Sequence, residues 1–407
     1  MNSSSRNDRK IVAITSSSHF MIHSYEFIFP AILVMIGHEF GIRYGLLGLL
    51  ANVSYLFIGL GSLPAGFISD RLGSTKTLII YLIGAALSSL LIAFSYNFYS
   101  LTTGLILLGA FLSIYHPAGL SLLSKHSKNI GTSFGIHGMA GNLGAALAPL
   151  LAGIVAASFG WRSSYFFFAI PGLILASLFP FLKIKEKSHH ELPIVLKNNR
   201  KGESSKTLLI LSIVGIMFVG FCYRGATTFL PAHMGENVTG FFSTWLSHSS
   251  GVAKGGVITT VVLLIGVLGQ YTGGRLVGRI RMEILYGLLI AISVPFVILI
   301  GLSTNSPMIL FASLFAFFHF GAQPVGNVLV STFSSPQRRG FVFGLSFFLT
   351  FSFGSFAASF SGLVAEKFGL SYVFIALGAI SMVPIIIALI INRLRKKDLE
   401  AFTTLKE

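Results

Sequence analysis

Apolar residues in this chain fall in runs of ~20 or more, the length a helix needs to cross a bilayer, rather than in the single stripe of a soluble helix. Twelve runs can be placed, at about residues 16–37, 44–69, 76–96, 99–124, 131–158, 163–183, 207–232, 252–277, 283–303, 307–331, 338–366 and 371–392. With no water in the hydrocarbon, a spanning segment must satisfy its backbone groups internally, so each run is predicted to be a helix. The one long polar stretch, residues 183–206, divides six runs from six. The expected fold class is therefore an all-α membrane protein of twelve transmembrane helices in two pseudo-symmetric six-helix bundles. The boundaries are 1–183 for the first bundle, 184–206 for a cytoplasmic linker loop, and 207–407 for the second bundle with a short charged tail.

Composition agrees: 53% of residues are hydrophobic and 10% charged, too little polarity to cover a soluble protein of 407 residues. A single cysteine, Cys222, excludes a disulfide framework or a cysteine metal cluster. The net charge of +16 could suggest a nucleic-acid partner. Its distribution argues otherwise. The termini and the loops after runs two, four, six, eight and ten hold 24 of the 29 Lys and Arg, whereas the opposite loops hold only Arg43, Arg162, Lys254 and Lys367. That asymmetry places both termini in the cytoplasm of a bacterial inner membrane, with no nucleic-acid partner. The basic start (Arg6, Arg9, Lys10) resembles a leader, but the next run is too long and shows no cleavage site, so it is expected to be retained.

Polar residues inside the runs carry the candidate chemistry. The first run holds His19, His23 and Glu26, whose spacings of four and three place them on one helical face. A carboxylate inside a span costs on the order of 2.5–3.5 kcal/mol on insertion scales, which points to a proton site or a water-lined path. Proton coupling is assigned to Glu26, His23 and His19. Arg224 is the lone basic residue deep within a run, away from its ends, and is expected to face Glu26 or an anionic substrate. The substrate-binding candidates are Arg224, His116, His137, Tyr25, Asn142 and Gln323. These histidines with Glu26 could form a metal ligand set, but no second-shell partner is visible for any pair, so no metal site, cofactor or catalytic residue is predicted. The Phe-rich runs six, ten and eleven are read as lipid-facing or packing surface.

The halves repeat. Gly66 with Arg71 returns as Gly274 with Arg279, Phe159-Gly160 returns as Phe368-Gly369, and Pro30 pairs with Pro231, which sets His23 opposite Arg224. Six plus six helices about an axis along the membrane normal is an alternating-access plan. After the second run stands Gly66-Phe67-Ile68-Ser69-Asp70-Arg71-Leu72-Gly73-Ser74-Thr75-Lys76. It resembles the signature loop of the major facilitator superfamily, G-x-x-x-D-R-x-G-x-x-[KR]. The resemblance implies that Gly66, Asp70, Arg71 and Gly73 form a gating loop, with Asp70 near the start of the eleventh helix at residues 337–340. The second copy has Gly278 at the Asp position. Gly73-Ser74-Thr75-Lys76-Thr77 lacks the frame of a phosphate-binding loop, which argues against an ATP-driven pump.

The fifth run, with Gly138, Gly141, Gly144 and Pro149, resembles the helix 5 motif of the superfamily's antiporters. His19 eleven residues before Pro30, with Tyr115-His116-Pro117-Ala118-Gly119 in the fourth run, resembles the fosmidomycin-resistance branch, although Ala118 stands where that branch has Glu. The expected function is a monomeric, proton-coupled secondary transporter that exports a small organic molecule. The alternative is a proton-coupled importer of a nutrient, siderophore or metal chelate. No nucleophile–base pair stands at a helix end, so an enzyme is not expected.

Overall fold

The computed structural model describes residues 3–126, 130–182, 184, 206–239, 251–334 and 339–404. Among the described residues it is built of fourteen helices. The first half holds α1 (Ser3–Phe40), α2 (Tyr44–Leu72), α3 (Ser74–Ala93), α4 (Phe98–Leu112), α5 (Tyr115–His126), α6 (Ile130–Phe159) and α7 (Trp161–Leu182). The second holds α8 (Lys206–Asn237), α9 (Gly251–Leu276), α10 (Met282–Leu302), α11 (Asn305–Phe333), α12 (Arg339–Phe368), α13 (Leu370–Ile380) and α14 (Met382–Thr404). They make twelve candidate membrane spans, and no strand is present among the described residues. Of the predicted linker, 184–206, residues 185–205 lie outside the described residues.

Two expected single helices are broken. The fourth span divides at Ser113 and Ile114, just before Pro117, and becomes α4 and α5. Proline lacks the N–H for the helical ladder and crowds the carbonyl four residues back, so it favours a break there. The twelfth divides at Ser381, just before Pro384, and its last helix runs on to Thr404 through what was expected to be a tail. The first helix begins well before residue 16, adding basic turns ahead of the apolar run.

The repeat shows in the backbone. Gly160 and Gly369, matched by their Phe-Gly pairs, both take positive φ, +84° and +97°, between consecutive spans. Only glycine holds that conformation without strain, so the two halves turn at equivalent points by the same means. Gly73, at φ +84°, makes the tight turn between α2 and α3.

Two seams join the halves: α2 against α12, and α6 against α9. Along the first, Gly48 lies against Gly362 and Asn52 Nδ2 donates to Ser359 Oγ at 2.7 Å. Nearer the loops, the Gly45 N–H donates to Glu366 Oε2 at 2.9 Å and the Tyr44 hydroxyl donates to Glu236. Along the second seam Gly153 meets Gly256. Small residues let backbones approach closely, which drives helix association where lipid is as apolar as the side chains. These contacts lie toward the end of the bundle opposite the chain termini. Toward the terminal end, a Cβ added at Gly66, Gly138 or Gly344 would meet no atom within 4 Å. The lone thiol, Cys222, is fully buried inside the second half, where it donates to the Leu377 carbonyl and accepts from the Ser381 hydroxyl at the α13–α14 break.

Candidate functional site

The face predicted on the first span forms one connected group. His23 Nδ1 lies 2.8 Å from Glu26 Oε2, and His23 Nε2 lies 3.2 Å from His19 Nε2. His19 Nδ1 in turn donates to the His137 carbonyl at 2.7 Å. That carbonyl belongs to α6, whose packing on α1 is permitted by Gly141. A Cβ there would collide with the His19 ring. The His19 and His137 rings stack, with centroids 4.1 Å apart and planes 12° apart.

His116 enters from the start of α5, at the break in the fourth span. Its ring lies edge-on to His19, 5.5 Å between centroids, and its Nε2 is buried with no hydrogen-bond partner. On the other side Phe351 and Phe347 of α12 stack on it at 5.8 and 6.1 Å. These phenylalanines were expected to be packing or lipid surface. They are packing surface, and what they pack on is the histidine group; period alone could not tell that from a lipid-facing role.

Glu26 is 8% exposed, and its second oxygen, Oε1, has no partner. Arg224 of α8 was expected to face Glu26 or an anionic substrate. Arg224 and Glu26 line one small cavity between the halves, with space of about 10 Å³, enough for about one water. They form no ion pair, since no Arg224–Glu26 separation falls within 4 Å. The Arg224 guanidinium sits over the Tyr55 ring, 4.0 Å from its centroid, and its Nε has no hydrogen-bond partner. The stack has a physical cause. A planar, delocalised cation is stabilised by an aromatic face as well as by a carboxylate, and Tyr55 of α2 supplies that face.

The remaining candidates separate. Tyr25 lines the same cavity, but its hydroxyl is spent on the Phe168 carbonyl at 3.0 Å, so it ties α1 to α7 rather than presenting a free group. Asn142 and Gln323 come together through a residue the sequence reading missed. Asn142 Nδ2 donates to Gln270 Oε1, and Gln270 Nε2 donates to Gln323 Oε1 at 2.7 Å. This amide chain links α6 to α9 and α11 across the second seam. Its sequence signal was a lone glutamine within an apolar run. Tyr115 was also missed as a support: its hydroxyl donates to the Thr15 carbonyl at 2.7 Å, and its ring stacks on His19. In the gating loop, Gly66 and Gly73 are placed as above and Arg71 is exposed at the end of α2. The side chain of Asp70 and residues 337–338 lie outside the described residues, so the expected clamp does too.

The group can therefore hold a positive charge on its histidines, balance it at Glu26, and present Arg224 to an anion. Known proteins show which family the chain belongs to. The model of the Major Facilitator Superfamily matches residues 15–253 and 232–407. The inner membrane transport protein YnfM of Escherichia coli is 26% identical over 244 residues, 56% of this chain and 58% of YnfM. The chain thus spans little more than half the length of that relative. The fosmidomycin resistance protein of the same organism is 21% identical over 384 residues, covering 89% of this chain and 88% of that one. Among solved structures, a bacterial homologue of the human lysosomal transporter Spinster, inward-facing and unoccupied, superposes with a TM-score of 0.80 at 14% identity. That match covers 96% of this chain and 98% of the other.

Proposed function

This chain belongs to the Major Facilitator Superfamily and is a multi-pass membrane transporter, and from that premise we propose that it is a proton-coupled exporter of a small organic molecule. It would act as a monomer in a bacterial inner membrane, with both termini cytoplasmic. One observation carries the proton coupling: the 3.2 Å contact between the Nε2 atoms of His19 and His23. A carbonyl only accepts, so the hydrogen of His19 sits on Nδ1. His23 Nδ1 likewise donates to the Glu26 carboxylate. Two neutral rings so arranged turn bare lone pairs toward each other. A proton between them makes the contact a hydrogen bond, and Glu26 supplies the countercharge.

Arg224, buried and free of any ion pair, is the proposed seat for an anionic group of the substrate. Its cavity is shared with Glu26, so cargo and proton act on one electrostatic site. Loading one favours release of the other, and that exclusion is enough for antiport. The α6 packing that Gly141 permits, in a motif resembling the superfamily's antiporters, favours export.

The test is flux in proteoliposomes carrying a pH-sensitive dye inside, with candidates first chosen by thermal shift. Substrate moving down its own gradient should drive protons the opposite way. Co-movement in the same direction would establish the importer instead. No proton movement with any transported substrate would remove the coupling.

A further inference from the structure

We propose that His19, His23 and His116 form a binding site for a divalent transition-metal cation of the zinc, cobalt and nickel class, and that this cation, with an anion on its open position, belongs to the substrate. The proposal rests on the reading that this group lies in the transport path, and it names the class of cargo.

The geometry is that of a ligand set. One ring nitrogen from each of the three residues lies within 4.8 Å of the other two. Two nitrogens bound to a tetrahedral metal at ~2.0–2.1 Å stand about 3.3 Å apart. The His19 and His23 Nε2 atoms are 3.2 Å apart, within about 0.1 Å of that spacing. Their lone pairs converge because the opposite nitrogens are committed: His23 Nδ1 to the Glu26 carboxylate, His19 Nδ1 to the His137 carbonyl. A carboxylate or carbonyl behind each imidazole is the outer-shell arrangement that fixes tautomer and ring direction in metal sites. The third ring brings a buried nitrogen, His116 Nε2, with no partner. Ring motion of about 1.5 Å brings a nitrogen at the 4.8 Å limit to tetrahedral spacing.

Charge decides what accompanies the cation. Glu26 and Arg224 offset one another near the cavity, and the three imidazoles are neutral when they ligate. Two positive charges would then stay unbalanced in a low-dielectric interior, which is costly. An anion in the fourth position reduces that cost and can reach Arg224. The substrate class is therefore a metal–anion complex. The same lone pairs hold either the metal or the coupling proton, so the two exclude each other at the ligand atoms.

The test uses tag-free full-length protein in detergent and chloride buffer, titrated with Co²⁺. Expected are one Co²⁺ per chain, the visible absorption of tetrahedral cobalt, and its displacement by Zn²⁺. His19→Ala and His23→Ala should each weaken binding by ~100-fold or more. Glu26→Gln, which removes only the outer-shell carboxylate, should weaken it by ~10–100-fold. His38→Ala, an exposed histidine at the far end of α1, should change nothing. If a ligand variant loses its monodisperse profile, the Glu26→Gln result decides. Absence of stoichiometric binding, an octahedral spectrum, or a site indifferent to His23→Ala overturns the proposal. Proton flux intact without metal binding sinks this inference alone. Metal binding intact without proton flux sinks the coupling alone.

Discussion

Replacing Glu26 by Gln should uncouple transport while leaving the protein folded. The carboxylate accepts from His23 at 2.8 Å, a charge-assisted bond that the amide oxygen replaces with a neutral one. The loss is about 1 kcal/mol, the difference between ~1.5–3 and ~0.5–1.5 kcal/mol. That is small against a typical stability of ~5–15 kcal/mol, so expression and monodispersity should survive. The functional loss is larger in kind. Each unit of pH difference is worth about 1.4 kcal/mol per proton, a factor of ten. One proton exchanged per substrate across a 2-unit gradient sustains a substrate ratio of about 100. A neutral amide cannot supply the countercharge for a proton held between His19 and His23, so the ratio in the variant should collapse to about 1, while exchange of labelled for unlabelled substrate continues. Proteoliposomes with an imposed pH gradient measure both. A ratio near 100 in Glu26→Gln would show that the proton travels elsewhere, with His116 the next candidate.

Other substitutions probe other parts. Arg224→Lys keeps the charge but loses the planar stack on Tyr55, worth ~0.5–2 kcal/mol, so affinity for an anionic substrate should fall about tenfold. Normal binding in the Lys variant with failure in Arg224→Ala would reduce the role to simple charge. Gly48→Leu forces a side chain against Gly362 and the Ala358 carbonyl. It should wedge the halves apart and raise hydrogen exchange along α2 and α12, whereas unchanged protection would mean that this seam does not hold the halves together. Asp70→Asn should slow transport and shift the resting state, and wild-type rates would retire the gating-loop assignment. A reporter fused after residue 201 should be cytoplasmic, and a periplasmic signal would invert the topology.

Much of this architecture is legible in the sequence because the bilayer leaves few choices. Apolar runs of spanning length must be helices, and the twelve placed by hydropathy correspond to the twelve candidate spans. The stripe of His19, His23 and Glu26 was readable because helical spacing alone places them together. What crosses between helices was not. The Arg224–Tyr55 stack, the Gln270 bridge and the phenylalanines on His116 depend on which faces meet, and that is set by packing and not by period. The break at Ser113 is not legible in the apolar run, because a proline such as Pro117 can either kink a spanning helix or end it, and packing decides which. Arg224, expected to face Glu26 or an anionic substrate, shares a cavity with Glu26 but stacks on Tyr55 instead of pairing with it. In a buried site an aromatic face competes on nearly equal terms.

The burial of Cys222 has a practical consequence for anyone who follows the motion of this transporter. Its sulfur is 0% exposed and packs within the second half, beside the α13–α14 break and away from both seams. Rocking of one half against the other as a rigid body leaves it covered on either side of the cycle. The natural chain therefore behaves as a cysteine-free background toward maleimide reagents. Thiols introduced one at a time where a Cβ meets open space, at Gly66 or Gly344 for example, would report opening and closing directly, with no prior engineering of the protein.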